Sequence, residues 1–197
     1  MELKILNEKE IITVFYDRLQ KDFAADEVKP LNVILKSVED GVYECFGLFH
    51  EDRMLGYTFI VKQGERYLVD YLAVFSEYRN NGLGSKTLGL IRDHLSDAEL
   101  VILEAEDPEY ETDEELHDIQ TRRIGFYKRN GLTDTGVRTR CFGVPFVILE
   151  VCRKTDMSDE EIWEEYRDFY RAMLPPKMFE NNIEFLGMVN DRKRSAQ

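Results

Sequence analysis

The chain has 197 residues, 39 of them acidic and 26 basic, with a formal net charge of −13. That length suits one domain with a substantial core, and 43% hydrophobic with 33% charged residues is the balance of a soluble globular protein. The negative charge argues against non-specific binding to nucleic acid or an anionic membrane, and no stretch reaches the ~18 apolar residues of a membrane span.

The N-terminus, MELKILNEKE, is charged and has no apolar signal core. Leu3 to Leu6 reads as a short strand. Ile12, Phe15, Tyr16, Leu19 and Phe23 then recur at helical spacing, which predicts an amphipathic helix over 8–23. Pro30 opens a second short helix that ends by Gly41. Tyr43–Phe49, Met54–Lys62 and Arg66–Val74 are rich in aromatic and β-branched residues and are separated by turn-like segments, so they read as an antiparallel meander.

The third of these strands runs into Arg79-Asn-Asn-Gly-Leu-Gly84, and Gly84, Leu88, Ile91 and Leu95 continue at helical spacing. A strand, a glycine turn and a helix N-terminus together make an anion site, with backbone N–H groups and the helix dipole directed outward. Two familiar phosphate loops do not fit. A Rossmann fingerprint wants G-x-G-x-x-G just after the first strand, and a P-loop wants Gly-Lys-Ser/Thr where this chain has Gly-Ser-Lys. The alternative is a turn whose Asn and Gly residues serve geometry alone.

Leu100–Ala105 is nearly all apolar, as in a central strand covered on both faces. Asp107–Asp118 is strongly acidic and reads as a loop or a helical insertion; such runs are usually solvated surface. Thr121–Asn130 reads as a helix closed by Gly131. Gly136–Phe142 and Val144–Cys152 read as a hairpin with Gly143-Val144-Pro145 near its turn. Ser158-Asp-Glu-Glu161 is a capping box opening a helix whose Ile162, Tyr166, Phe169, Tyr170 and Met173 share a face. Pro175-Pro176 ends it, residues 177–190 keep enough apolar side chains to pack, and Arg192–Gln197 reads as a frayed tail. Cys45, Cys141 and Cys152 are an odd count without metal-ligand spacing, and His50, His94 and His117 are scattered, so no metal site is expected. A reducing compartment, and hence the cytoplasm, is the natural location.

With these residues placed, the chain resembles the GNAT superfamily of N-acetyltransferases. The glycine turn Arg79–Gly84 matches the family's Q/R-x-x-G-x-G/A motif for acetyl-CoA. Val74–Arg79 looks like its strand-to-loop passage, and Phe126-Tyr-Lys-Arg-Asn-Gly131 matches its F-Y-x-x-x-G helix. The resemblance covers roughly residues 1–152. It implies an α/β GNAT fold, a mixed, mostly antiparallel central sheet flanked by helices, with residues 1–155 as the acetyltransferase domain and 156–197 as a C-terminal helical extension packed on it. It implies acetyl-CoA as co-substrate and no metal. The amides of Arg79, Asn80, Asn81, Gly82, Leu83, Gly84 and Ser85 would hold the pyrophosphate, and the backbone of Leu72, Ala73 and Val74 the pantetheine arm. Tyr127 would be the general acid for the departing thiolate, against the plainer reading of a helix tyrosine with its ring in the core. Asp70 stands where some polyamine-type members carry a basic glutamate, but strand alternation could equally turn it outward or into an ion pair; Glu104 and Glu106 are its rivals. The implied reaction is direct transfer of an acetyl group to a primary amine of a small molecule or peptide, without nucleic-acid or membrane partners. The extension could cover the acceptor pocket, complete a homodimer or cap the core. The competing readings are a non-catalytic acyl-CoA-binding sensor and an interaction module.

Overall fold

The computed structural model describes residues 1–25 and 27–189, so the expected frayed tail, Arg192–Gln197, lies outside the described residues. The chain divides into two compact units, Met1–Ala98 and Glu99 onward.

In the first unit, β1 (Glu2–Ile5) leads into α1 (Glu8–Val14), whose N-terminus is closed by an Asn7–Glu10 capping box. The helix widens into a π turn at Phe15–Leu19 and ends as α2 (Gln20–Asp22), so the predicted helix over 8–23 is present with an irregular middle. α3 (Leu31–Glu39) follows Pro30 and stops before Gly41, which takes φ 74°. β2 (Tyr43–His50), β3 (Arg53–Gln63) and β4 (Arg66–Val74) form the expected antiparallel meander, with β1 paired antiparallel to β2. α4 (Leu83–His94) buries Leu88 and Ile91, two of its periodic apolar positions. The core of this unit is aromatic: Tyr43, Tyr57, Phe59 and Tyr71 are all nearly inaccessible.

In the second unit, β5 (Leu100–Glu106) pairs antiparallel with β7 (Val144–Arg153), β7 with β6 (Thr133–Cys141), and β6 with β8 (Ile183–Met188). The β6–β7 hairpin turns close to where the sequence places it: Phe142 and Gly143 both take positive φ, and β7 begins at Val144 with Pro145 opposite Arg140. α5 (Glu114–Arg129) starts at Glu114 rather than Thr121. Asp113 caps it by accepting from the Glu115 and Leu116 amides, and Glu114 and Glu115 suit the positive end of the helix dipole. Much of the acidic segment is therefore the start of a helix.

α6 (Asp159–Met173) carries the Ser158–Glu161 capping box and buries Ile162, Tyr166, Phe169, Tyr170 and Met173. α7 (Pro176–Asn182) follows. The segment after residue 155 is not wholly helical, because its last element is β8, which adds to the second unit's sheet. Every strand pairing described above is antiparallel, which with the flanking helices gives the mixed, mostly antiparallel α/β class expected from the sequence.

Candidate active site

In the first unit the site is built at the end of β4. Leu72, Ala73 and Val74 pair with Thr58, Tyr57 and Gly56 of β3. The approach at Gly56 is close: a Cβ there would sit 2.4 Å from the Ala73 carbonyl oxygen, so only glycine fits. A glycine interrupting an aromatic strand was the available signal for this residue.

Beyond Val74 the chain makes a short 3-10 turn, Ser76–Tyr78, and enters the glycine loop. The Arg79 guanidinium works inward: Nε donates to the Val74 carbonyl at 2.9 Å and Nη2 to Asp22 at 3.1 Å. Its amide is also engaged, with Ser76 O at 3.3 Å. Asn80 takes φ 66°, and the Asn81 side chain donates to the carbonyls of Tyr78 and Arg79. Gly82 takes φ 70° at the N-cap of α4, where a side chain would be strained although space is open.

No side chain caps α4, and its first turn contains no acidic residue. Lys86 N donates to Gly82 O, so helix geometry leaves the amides of Gly82, Leu83, Gly84 and Ser85 without intrahelical acceptors. An uncapped helix end with no opposing carboxylate fits a diphosphate. The loop is braced from the π turn, where Arg18 makes a two-pronged contact with Glu77 (3.2 and 2.8 Å) and stacks over Phe75 at 3.9 Å. Asp22 also accepts from Tyr57 at 3.1 Å. Neither Arg18 nor Asp22 carries a local sequence signal.

Asp70 is the extra residue of a β-bulge. Phe59 faces Tyr71 and Ile60 faces Val69, leaving Asp70 without a partner on β3. Around the bulge Val69, Asp70 and Tyr71 are all buried, as are Tyr67 and Leu68 before it. The Asp70 side chain is 1% exposed. One oxygen accepts from Lys29 Nζ at 2.7 Å and the other takes a very short hydrogen bond from the Tyr43 hydroxyl. Lys29 belongs to the segment leading to α3, and its amide donates to the Tyr71 hydroxyl, which in turn donates to Glu27 O. Burial, with the Asp70 charge adding, holds the Tyr43 phenol well above its ordinary range.

In the second unit Glu104, half-buried on β5, accepts from the Tyr166 hydroxyl at 2.8 Å and the Tyr170 hydroxyl at 2.7 Å, which ties α6 to the strand. Burial, with Glu104 adding, raises the Tyr166 phenol. Glu106, the last residue of β5, forms a very close ion pair with Arg123, and Asp107 lies 3.3 Å from Arg138. The acidic segment is thus solvated mainly from Glu109 to Asp118, while Asp107 at its start and Glu106 just before it are paired. Tyr127 is 8% exposed, and its hydroxyl makes no hydrogen bond to another described residue. Burial raises its phenol; Arg123 opposes that shift and Glu106 reinforces it. No group of three or more potential metal ligands occurs among the described residues.

A family model, the acetyltransferase (GNAT) family, matches residues 12–132, and the chain belongs to that family. It is accordingly an acyltransferase enzyme. Among solved structures it is similar to a GNAT-family protein from Bacteroides thetaiotaomicron, with TM-score 0.66 and 21% identity over 85% of this chain and 94% of that one. It is similar also to an aminoglycoside 6'-N-acetyltransferase complexed with coenzyme A, with TM-score 0.54 and 13% identity over 79% and 100% of the two chains. A dodecameric spermidine N-acetyltransferase from Vibrio cholerae matches with TM-score 0.56 and 9% identity over 75% and 91%. At these identities the likeness shows the fold. None of the curated proteins compared matches the sequence. No helix among the described residues is long and apolar enough to cross a membrane.

Proposed function

We propose that the protein transfers an acetyl group from acetyl-CoA directly to a primary amine of a small molecule or peptide in a ternary complex. Residues 1–155 would form the acetyltransferase domain and 156–197 its extension. The observation that carries this reading is the uncapped N-terminus of α4 behind Gly82, joined to the end of β4 by the 3-10 turn and the glycine loop.

Bound acetyl-CoA supplies an activated thioester and a thiolate leaving group. The free amides of Gly82–Ser85 neutralise the diphosphate, and the backbone of Leu72–Val74 orients the pantetheine arm. Tyr127 delivers the proton to the thiolate. An ordinary thiol near 8.5 and an ordinary phenol near 10 make such a transfer mildly uphill; burial of Tyr127 steepens it, and its unspent hydroxyl is available for it.

Of the carboxylates, Glu104 is the better base for the incoming ammonium because it is partly exposed, whereas Asp70 is buried between Lys29 and Tyr43. Asp70 then acts as a positioning residue for the segment before α3. The amine class is supported by the aminoglycoside and spermidine enzymes with which the fold is shared. The odd cysteine count, three in the chain, accords with a cytoplasmic location.

The test is a panel of primary amines, amino sugars and peptides offered with acetyl-CoA, with thiol release measured. Release is expected with at least one acceptor, and Tyr127→Phe should lower kcat by about 100-fold. A folded protein that releases no thiol with any of them would sink the proposal.

A further inference from the structure

One edge of the Arg79 guanidinium is spent on the protein. Nε donates to the carbonyl of Val74, the last residue of β4, and Nη2 to Asp22 in α2. Asp22 is only 12% exposed, and its other oxygen accepts from Tyr57 on β3 at 3.1 Å. Tyr57 is wholly buried. Burial, with the Asp22 charge adding, holds its phenol well above the ordinary range, so it stays a donor. A core phenol thus fixes the carboxylate, and the carboxylate fixes the first residue of the glycine loop.

The loop has reason to be held. Asn80 and Gly82, two residues in three, take left-handed φ, which an L residue such as Asn80 adopts at a cost. The Asn81 side chain ties the loop internally, to the carbonyls of Tyr78 and Arg79. Asp22 ties it from outside. The helical segment is irregular at the same place: the π turn Phe15–Leu19 runs directly into α2, and such turns inside helices recur at functional sites.

We propose that Asp22 is a positioning residue for acetyl-CoA: through Arg79 it fixes the direction in which the chain enters α4, and so the aim of the Gly82–Ser85 amides at the diphosphate. Arginine suits this task because its planar fork sets two donors side by side, which the point charge of a lysine cannot reproduce. The inference rests on the reading of the glycine loop as the diphosphate site.

The test measures CoA binding to the full chain by calorimetry, with backbone NMR spectra confirming the fold of each variant. Asp22→Ala should raise the CoA Kd about tenfold. Arg79→Lys, which keeps the charge, should do the same. In an Arg79→Ala background, Asp22→Ala should add little, because the path through Arg79 is already cut. An unchanged Kd in folded Asp22→Ala would overturn the proposal. So would wild-type affinity in Arg79→Lys, which would make Arg79 a charge and nothing more, or fully additive effects of Asp22→Ala and Arg79→Ala. Should Asp22→Ala fail to fold, Arg79→Lys still decides, since that side chain is 51% exposed. A wild-type chain that binds no CoA would sink the diphosphate reading itself, whereas wild-type binding with unaffected variants overturns the role of Asp22 alone.

Discussion

Asp70 in the first unit and Glu104 in the second are strand carboxylates that each draw on tyrosine hydroxyls, yet their surroundings differ. Asp70 sits on a bulge, is almost wholly buried, and holds an ammonium and a phenol. Glu104 stays in register opposite Ile148, is half-buried, and holds the phenols of Tyr166 and Tyr170. Both carboxylates anchor an element distant in sequence: Asp70 the segment before α3, Glu104 the helix α6. One acidic residue thus sits in a core ion pair at a bulge, while the other stays half-buried in regular pleating.

The largest expected effect breaks the Asp70 side. Asp70→Ala leaves the Lys29 ammonium buried without its partner, and removing one member of a buried pair costs about 3–5 kcal/mol. Chemical denaturation should show that loss. A cost under about 1 kcal/mol would mean that Lys29 reaches water and the pair is not an anchor.

Next is the catalytic contrast. Glu104→Gln should lower kcat by about 100-fold with the fold intact, as expected for a lost general base. Asp70→Asn should act mainly on stability. The reverse pattern would exchange the proposed roles. Tyr170→Phe, which keeps the ring and removes the donor to Glu104, should cost about 1.5–3 kcal/mol, the range for hydrogen bonds to a charged group. A double-mutant cycle with Glu104→Ala, which removes the acceptor, isolates that coupling, provided neither variant creates a new contact.

The difference between the two carboxylates also marks what could be read from the residues in order. The meander, α4 and the capping box at Ser158 follow local rules of alternation, periodicity and capping, and these elements appear close to where those rules place them. The glycine loop was legible because its chemistry is carried by backbone conformation, and Gly82 at φ 70° is the kind of position that only composition can mark. For Asp70 the ion pair stood only as one alternative beside a base and a solvent-facing residue, because one inserted residue reverses every later side chain on the strand. Its partner Lys29 lies 41 residues away with no local pattern to announce it. The same holds for Arg18 and Asp22 behind the glycine loop and for Tyr166 and Tyr170 over Glu104: each is a long-range pairing. The early start of α5 and the strand β8 were missed for a different reason. Acidic and mixed sequences there are weak local signals, decided by a cap at Asp113 and by the free edge of β6.

The smallest effect concerns alkaline pH and treats the two sites alike. Tyr43 beside Asp70 and Tyr166 beside Glu104 both have phenols raised by burial, with the adjacent carboxylate adding. In the unfolded chain a tyrosine loses its proton near pH 10. Above that pH the unfolded state has lost the proton that the folded state still holds, so stability is fully present below about pH 10 and falls as pH rises further. One such group contributes a slope of at most about 1.4 kcal/mol per pH unit. Tyr43→Phe and Tyr166→Phe should each flatten the alkaline decline in unfolding midpoint while lowering stability at neutral pH. If only Tyr43→Phe flattens it, the Tyr166 phenol is reaching water, and α6 is held to β5 by its aromatic packing rather than by the bond to Glu104.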